Sequence, residues 1–364
     1  MEETFFSTFC RHLDSKQIDY FEKFYKSKRV VVTGGASFIG SNLVDLLISF
    51  GANVAIIDNF SSGKKANIRE HSHLEIFEGD LRDWTLAKES LQGAEVVFHL
   101  AAVHGGRGFI ETYKRDMLAN FAIDNNVFSA AISNNVLSIV HASSACAYPI
   151  DLQESETELN LLSEHFGSMK KSETCFADGV YGWTKLIGEY QLENHVLGTG
   201  TKGRSARIFT AYGDRENESH AAIALIAKAL LKADPYPIWG SGQQTRNFTY
   251  VSDTVTGLLF LGSDSRDIAF DVFNIGTSNH VKVIDFVNQI FSEVNWSPQK
   301  LDLQLDKPVG VASRASENTK IREVFGWEPT IAISEGIART ISWYRDSGLL
   351  PKSLVDLEER LMAR

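Results

Sequence analysis

Val30-Val31-Val32 is an unbroken apolar run, as a strand covered on both faces requires. A glycine turn follows it, and then Leu43, Val44, Leu46 and Leu47 recur on one face of a helix. Residues 54–57 predict the next strand. Strand and helix patterns then alternate through 95–100, 118–133, 137–142, a helix from Tyr181, and 205–209. Apolar strands separated by helix-length segments predict an α/β fold, a Rossmann-type doubly wound parallel sheet with helices on both faces. After Tyr212 the alternation loosens. A polar stretch at 213–218, a helix over about 221–231, Pro235 and Pro237 before Trp239, and helices over 281–294 and 333–344 predict a smaller C-terminal substrate lobe. The domain boundaries expected are therefore 1–28, 29–212 and 213–364, with room for the chain to cross back to the sheet. Within 1–28, Ile18, Phe21, Phe24 and Tyr25 fall at helical spacing, predicting a helix packed on the main body or on a second subunit.

Composition narrows the class. With 364 residues, 43% of them hydrophobic, the chain can bury a large core. A net charge of -10, from 36 Lys+Arg against 46 Asp+Glu, argues against a nucleic-acid or acidic-membrane binder while permitting a local basic pocket. Cys10, Cys146 and Cys175 are too few and scattered for a disulfide framework or a Cys-x-x-Cys metal site, so a reducing, cytoplasmic setting and no metal are expected. The first 28 residues lack the continuous apolar stretch of a secretory signal or a membrane span.

The chemistry sits in four places. The turn Thr33–Gly40 joins the first strand to the first helix: Gly34 and Gly40 let the backbone approach a pyrophosphate, and the amides of Ser37, Phe38 and Ile39 begin the helix whose N-terminus favours its charge. Asp58 ends the second strand about 20 residues on, where a carboxylate accepts from a ribose diol and repels a 2′-phosphate, which favours NAD over NADP. On the helix from Tyr181, Lys185 lies four residues on and shares its face, which predicts an ammonium holding the phenol near its phenolate form. Ser144 and Cys146 add a hydroxyl and a thiol.

These motifs resemble the extended short-chain dehydrogenase/reductase family over about residues 29–344. The resemblance implies a catalytic Ser144, Tyr181 and Lys185, with Tyr181 and Lys185 also touching the cofactor. It further implies adenine contacts from Asp80 and Leu81, and a pyrophosphate and ribose wall at Leu100, Ala101 and Ala102. A homodimer formed through two helices of the large domain is a further implication. Where the family usually has glycine, this chain has Ser37, a change expected to loosen the turn. Within the family, residues 101–110, 144–146, 239–249 and 314–327 are most similar to the GDP-mannose 3,5-epimerases. That likeness implies a GDP-sugar substrate oxidised transiently at carbon 4 and inverted at carbon 5 and/or 3, with Cys146 as one acid/base group. His220 stands where the family has its lysine. It also implies that Arg246 and Arg314 hold the diphosphate and that the loop of His104, Gly105 and Arg107 faces the sugar. Blander readings stand beside these: Cys146 as a small buried side chain, His220 as a loop residue or helix cap, and His104 and Arg107 as a polar loop in water. The rival activities are a 4-epimerase, in which Cys146 is inert, a 4,6-dehydratase, disfavoured by Ala145-Cys146 in place of an Asp-Glu pair, and a silent NAD-binding sensor.

Overall fold

The computed structural model describes residues 13–168 and 176–361; Cys10 and Cys175 lie outside the described residues. Seven strands form one sheet: β1 (Arg29–Thr33), β2 (Asn53–Asp58), β3 (Leu74–Glu78), β4 (Val96–His99), β5 (Ser138–Ser144), β6 (Lys202–Ile208) and β7 (Phe270–Ile275). Their order is β7-β6-β5-β4-β1-β2-β3, and every neighbouring pair is parallel. The chain reverses its direction of winding at β1, and beside that point the connections that follow β1 and β4 pass to opposite faces of the sheet, leaving the crevice in which such sheets bind ligands.

Side-chain alternation divides the core in two. Val30, Val32, Val54, Ile56, Val96 and Phe98 pack into one apolar cluster, while Val31, Ala55, Ile57, Val97 and Ile139 pack into the other. Each face is thus apolar at every second residue, and the strand as a whole is apolar throughout. The helices α1 (Ser15–Tyr25), α2 (Phe38–Ser49), α3 (Trp84–Ser90), α4 (Arg107–Thr112), α5 (Ala119–Ser133), α6 (Gly179–Val196), α7 (Ala221–Leu230), α8 (Val251–Gly262), α9 (Val283–Val294), α10 (Thr319–Phe325), α11 (Ile333–Asp346) and α12 (Leu354–Leu361) cover the sheet and build the second lobe. α2 and α8 contribute to the first cluster; α3, α5 and α6 cover the second.

The N-terminal helix packs on the main body. Asp14 and Gln17 close a reciprocal cap at its start, Phe21 meets Phe260 edge-on at 4.7 Å, and the Tyr25 hydroxyl donates to the Leu259 carbonyl at 2.6 Å.

Residues 213–364 do not form one uninterrupted lobe. After α7 and the strand Tyr236–Trp239, the chain returns through α8 beneath the sheet, and β7 pairs with β6 along its full length before α9 to α12 follow. Among the described residues no helix is long and apolar enough to cross a membrane, and no cluster of His, Cys, Asp and Glu is arranged to hold a metal.

Candidate active site

A cavity of about 660 Å³ opens at the carboxyl ends of the strands, lined by Asp58 at the end of β2, Leu100 after β4, Ser143 and Ser144 at the end of β5 and Ile208 at the end of β6. Gly34, Ser37, Phe38 and Ile39 form part of its floor, and Asp80, Leu81, Ala101 and Ala102 line it as well.

The turn between β1 and α2 is built for close approach. Gly34 has φ +70°, and a Cβ there would press within 2.9 Å of the Ala101 nitrogen; a Cβ on Gly40 would run into the Gly34 carbonyl. Ser37 does not loosen the turn. Its hydroxyl donates to the Gly34 carbonyl at 2.6 Å and accepts from the Gly40 amide at 3.4 Å, so it caps α2 and adds to the backbone bond from its own amide to the Gly34 carbonyl. Asp58 is held by the amides of Ala36 and Phe60 at 2.9 and 2.8 Å, which fixes its carboxylate at the cavity wall. Asp80 is gripped by the Arg82 guanidinium, and that hydrogen bond brings its carboxyl down to about 2 against the opposing effect of burial.

The loop after β4 is tied from below by a buried chain. The Thr33 hydroxyl oxygen accepts from the amides of Leu100 and Ala101, at 3.1 Å each, and lies 2.7 Å from His99 Nδ1. His99 Nε2 lies 3.0 Å from Asp124 Oδ1. Burial works to raise the Asp124 carboxyl, but the hydrogen bond from His99 and the charges around it bring it below its ordinary value. An ionised Asp124 requires the proton on His99 Nε2, leaving Nδ1 to accept from Thr33. The glycine turn, the β4 loop and Asp58 together supply the amides, the apposed backbones and the ribose-facing carboxylate that a dinucleotide needs.

Tyr181 and Lys185 project from α6 into the same cavity, with the Lys185 ammonium 5.8 Å from the Tyr181 ring centroid. The expected depression of the phenol is not found. Burial pushes Tyr181 well above its ordinary value, with Cys146 and Asp124 adding, and only its hydrogen bond with Ser144 opposes them. Burial likewise lowers Lys185, whose charge is supported by Asp124 and Glu189. The lysine answers to carboxylates beneath it more than to the phenol above.

Cys146 is a partly buried free thiol packed against Tyr181, Phe109 and Met117. Its carbonyl accepts the Asp178 amide at 2.8 Å, and a Cβ on Gly182 would run into that carbonyl, so α6 seats directly on the turn carrying the sulfur. Cys146 does not line the large cavity. Its sulfur faces Arg314, which donates to it from Nη1 at 3.3 Å, to Gln153 from Nε at 2.6 Å and to Asp178 from Nη2 at 3.0 Å.

Arg107 shares Asp178, at 3.0 and 3.1 Å, and reaches Glu111 at 2.5 Å. It lines both the large cavity and a neighbouring one of about 340 Å³. Arg246 and Arg314 line neither cavity; Arg246 donates to the carbonyls of Thr245 and Val309. Burial, together with the nearby Arg314 and Arg107, pushes Arg246 down to about 9, so it remains charged at neutral pH. Arg107 and Arg314 share the Asp178 carboxylate with Arg246 close by, and three guanidiniums against Asp178 and Glu111 leave a positive surplus that favours an anion.

His104, Gly105 and Arg107 all line the large cavity, as does His220. His220 occupies the N-cap position of α7 but makes no capping hydrogen bond with its side chain. Sequence reasoning passed over Glu216, buried beside His220 on the cavity wall. A carboxylate four residues before a histidine was the available signal.

The fold and cavity define an enzyme that binds a dinucleotide beside a serine, a tyrosine and a lysine. A model of the NAD dependent epimerase/dehydratase family matches residues 30–276, and the chain belongs to that family, whose members work with NAD. Among curated proteins it is similar to GDP-mannose 3,5-epimerase 1 of Oryza sativa subsp. japonica, 31% identical over 337 residues covering 89% of this chain and 84% of the relative. Among solved structures it resembles an epimerase of Methanothermobacter thermautotrophicus, with a TM-score of 0.81, 27% identity and coverage of 92% and 96%. It also resembles UDP-glucuronic acid 4-epimerase of Bacillus cereus in complex with UDP-glucuronic acid and NAD, with a TM-score of 0.78, 25% identity and coverage of 88% and 99%.

Proposed function

We propose that the protein is an NAD-dependent nucleotide-sugar epimerase that oxidises carbon 4 of the sugar transiently and inverts carbon 5 and/or carbon 3 before the carbon 4 alcohol is restored. The observation carrying this reading is the grouping of Tyr181, Ser144 and Lys185 in one cavity with the dinucleotide turn, and of Cys146 against Tyr181. When bound, NAD supplies the hydride acceptor and a positive charge. Tyr181, once it is the phenolate, takes the proton of the carbon 4 hydroxyl, and Ser144 hydrogen-bonds the same oxygen, with the Lys185 ammonium 5.8 Å from the tyrosine ring. The ketone so formed acidifies the neighbouring C–H bonds, and Cys146 and His220 serve as the acid/base groups on opposite faces. Arg246 and Arg314 line neither cavity and keep their donors on protein groups, so Arg107, which lines the large cavity, is the guanidinium placed to meet a diphosphate; a GDP-sugar is favoured by the likeness to GDP-mannose 3,5-epimerase 1.

The test is to incubate GDP-mannose, UDP-glucose and UDP-glucuronic acid with NAD and the protein in D2O and to follow the ring carbons by NMR. Solvent deuterium is expected at carbon 5 or 3 of the sugar turned over, lost in Cys146→Ala, while Tyr181→Phe loses turnover by roughly a hundredfold or more. Turnover of every accepted sugar without deuterium would reject the reading. A second reading, a 4-epimerase, is favoured by one observation: Cys146 faces Arg314 and not the large cavity. Its product carries no solvent deuterium, and Cys146→Ala leaves it active.

A further inference from the structure

His220 does not stand alone on the cavity wall. Its Nδ1 lies 3.4 Å from Glu216 Oε1, and Glu216 is only 2% exposed. The other carboxylate oxygen accepts the Gly213 amide at 3.3 Å. On the far side, the His104 ring meets the His220 ring at 73° with centroids 5.2 Å apart, and His104 in turn lies 5.3 Å from the Tyr181 ring. A Cβ on Gly106 would run into the Ser219 carbonyl, so the loop carrying His104 and the segment carrying His220 meet backbone to backbone. Glu216, His220, His104 and Tyr181 thus follow one another along a single cavity wall.

A carboxylate buried this deeply is costly unless a donor or a positive charge meets it. Burial raises the Glu216 carboxyl, and His220 is the group that works hardest against that rise. A separation of 3.4 Å is long for a hydrogen bond, as contacts in a site without its substrate often are.

We propose that Glu216 is the positioning residue of a Glu216–His220 pair, holding the imidazole as its Nδ1–H tautomer so that Nε2 is the basic nitrogen presented to the sugar. This rests on the epimerase reading given above. In the step concerned, Nε2 takes the proton from the carbon next to the transient ketone, and the C–H electron pair passes into the enolate, whose charge rests on the carbon 4 oxygen. The new imidazolium faces the Glu216 carboxylate. Cys146 then gives its proton to the opposite face of the enolate carbon, which restores the ketone with inverted configuration, and the imidazolium and thiolate return to their starting states by exchanging a proton with solvent. His104, set edge to face against His220, limits rotation of that ring.

Two measurements test this, one of which needs no turnover. In protein carrying 15N-labelled histidine, with His220→Gln used to assign the signal, the neutral His220 ring is expected to bear its proton on Nδ1; a proton on Nε2 overturns the proposal. In D2O with NAD and an accepted nucleotide sugar, the ratio of deuterium wash-in to hydride transfer, followed at 340 nm, is expected to fall at least tenfold in Glu216→Gln and to recover in part in Glu216→Asp. Combining Glu216→Gln with His220→Gln is expected to cost no more than His220→Gln alone. An unchanged ratio in Glu216→Gln, or additive losses in the double variant, overturns the pairing. If the unmodified protein turns sugars over without any wash-in, the inversion reading fails by itself, and the tautomer measurement still decides whether Glu216 orients His220.

Discussion

Asp214 shows how far one side chain can set the response of this protein to pH. Burial pushes its carboxyl up to about 6, against the Tyr250 hydroxyl that donates to it at 3.1 Å and the positive charges of Arg215 and Arg339. A carboxyl whose folded value lies above its unfolded one binds a proton on folding, so the folded state loses stability as pH rises from about 4 to about 6 and stays penalised above that. Asp214→Asn keeps an acceptor for Tyr250 and is expected to be more stable than the parent at pH 7.5, by up to about 3 kcal/mol, with the gap closing near pH 4. Urea unfolding at the two pH values measures this, and an equal gap at both would refute it. The same physics limits what single residues disclose in sequence. Spacing placed Lys185 beneath Tyr181, yet the direction of the phenol's shift depends on burial and on Cys146 and Asp124, more than thirty positions away in sequence, which no local pattern reveals. Glu216 escaped notice for a related reason, since its significance comes from lying beside His220 inside a cavity.

The turn from β1 to α2 is where sequence and geometry agree most closely. Gly40 leaves no room for a side chain against the Gly34 carbonyl, so Gly40→Ala is expected to open the turn, weaken NAD binding about tenfold or more and cost roughly 1–3 kcal/mol. Gly200→Ala, where an added Cβ meets nothing within 4 Å, is the matched control and is expected to be near neutral. Titration with NAD separates the two. The elements with a clear period were predicted to within a few residues: β1, β2, α7 and α11 among them. β3 was missed because it is a short edge strand with Glu75 and Ile76 exposed, and α8 because all twelve of its residues are buried. A helix that is buried all round, with Ser252, Asp253, Thr254 and Thr256 inside as well as its apolar residues, has no solvent-facing stripe to mark its period.

The alternation of strands and helices identified the sheet, and the family resemblance supplied an assembly that the surface of α6 supports. Trp183, Tyr190 and Leu197, exposed by 37, 45 and 56%, recur every seventh residue along that helix and its C-cap. Apolar side chains at this spacing share one stripe, and we propose that it packs against a second copy of the chain. Light scattering is expected to give a dimer, and Trp183→Glu with Tyr190→Glu a monomer; a monomeric parent would refute the proposal. The boundary predicted at residue 213 was harder to place, because the chain leaves the sheet after β6 and comes back to it.

That return governs the order in which the molecule can be completed. As the chain emerges from its N-terminus, β6 carries Arg204 and Arg207 along an unfinished margin, and its last neighbour, β7, arrives only after α7 and α8 have been made. Until then the half-built sheet offers an open row of amides and carbonyls to any passing strand. Closing it draws the intervening segment in with it. Sheet and lobe are therefore finished together, with both ends of the insertion anchored at adjacent positions on one edge.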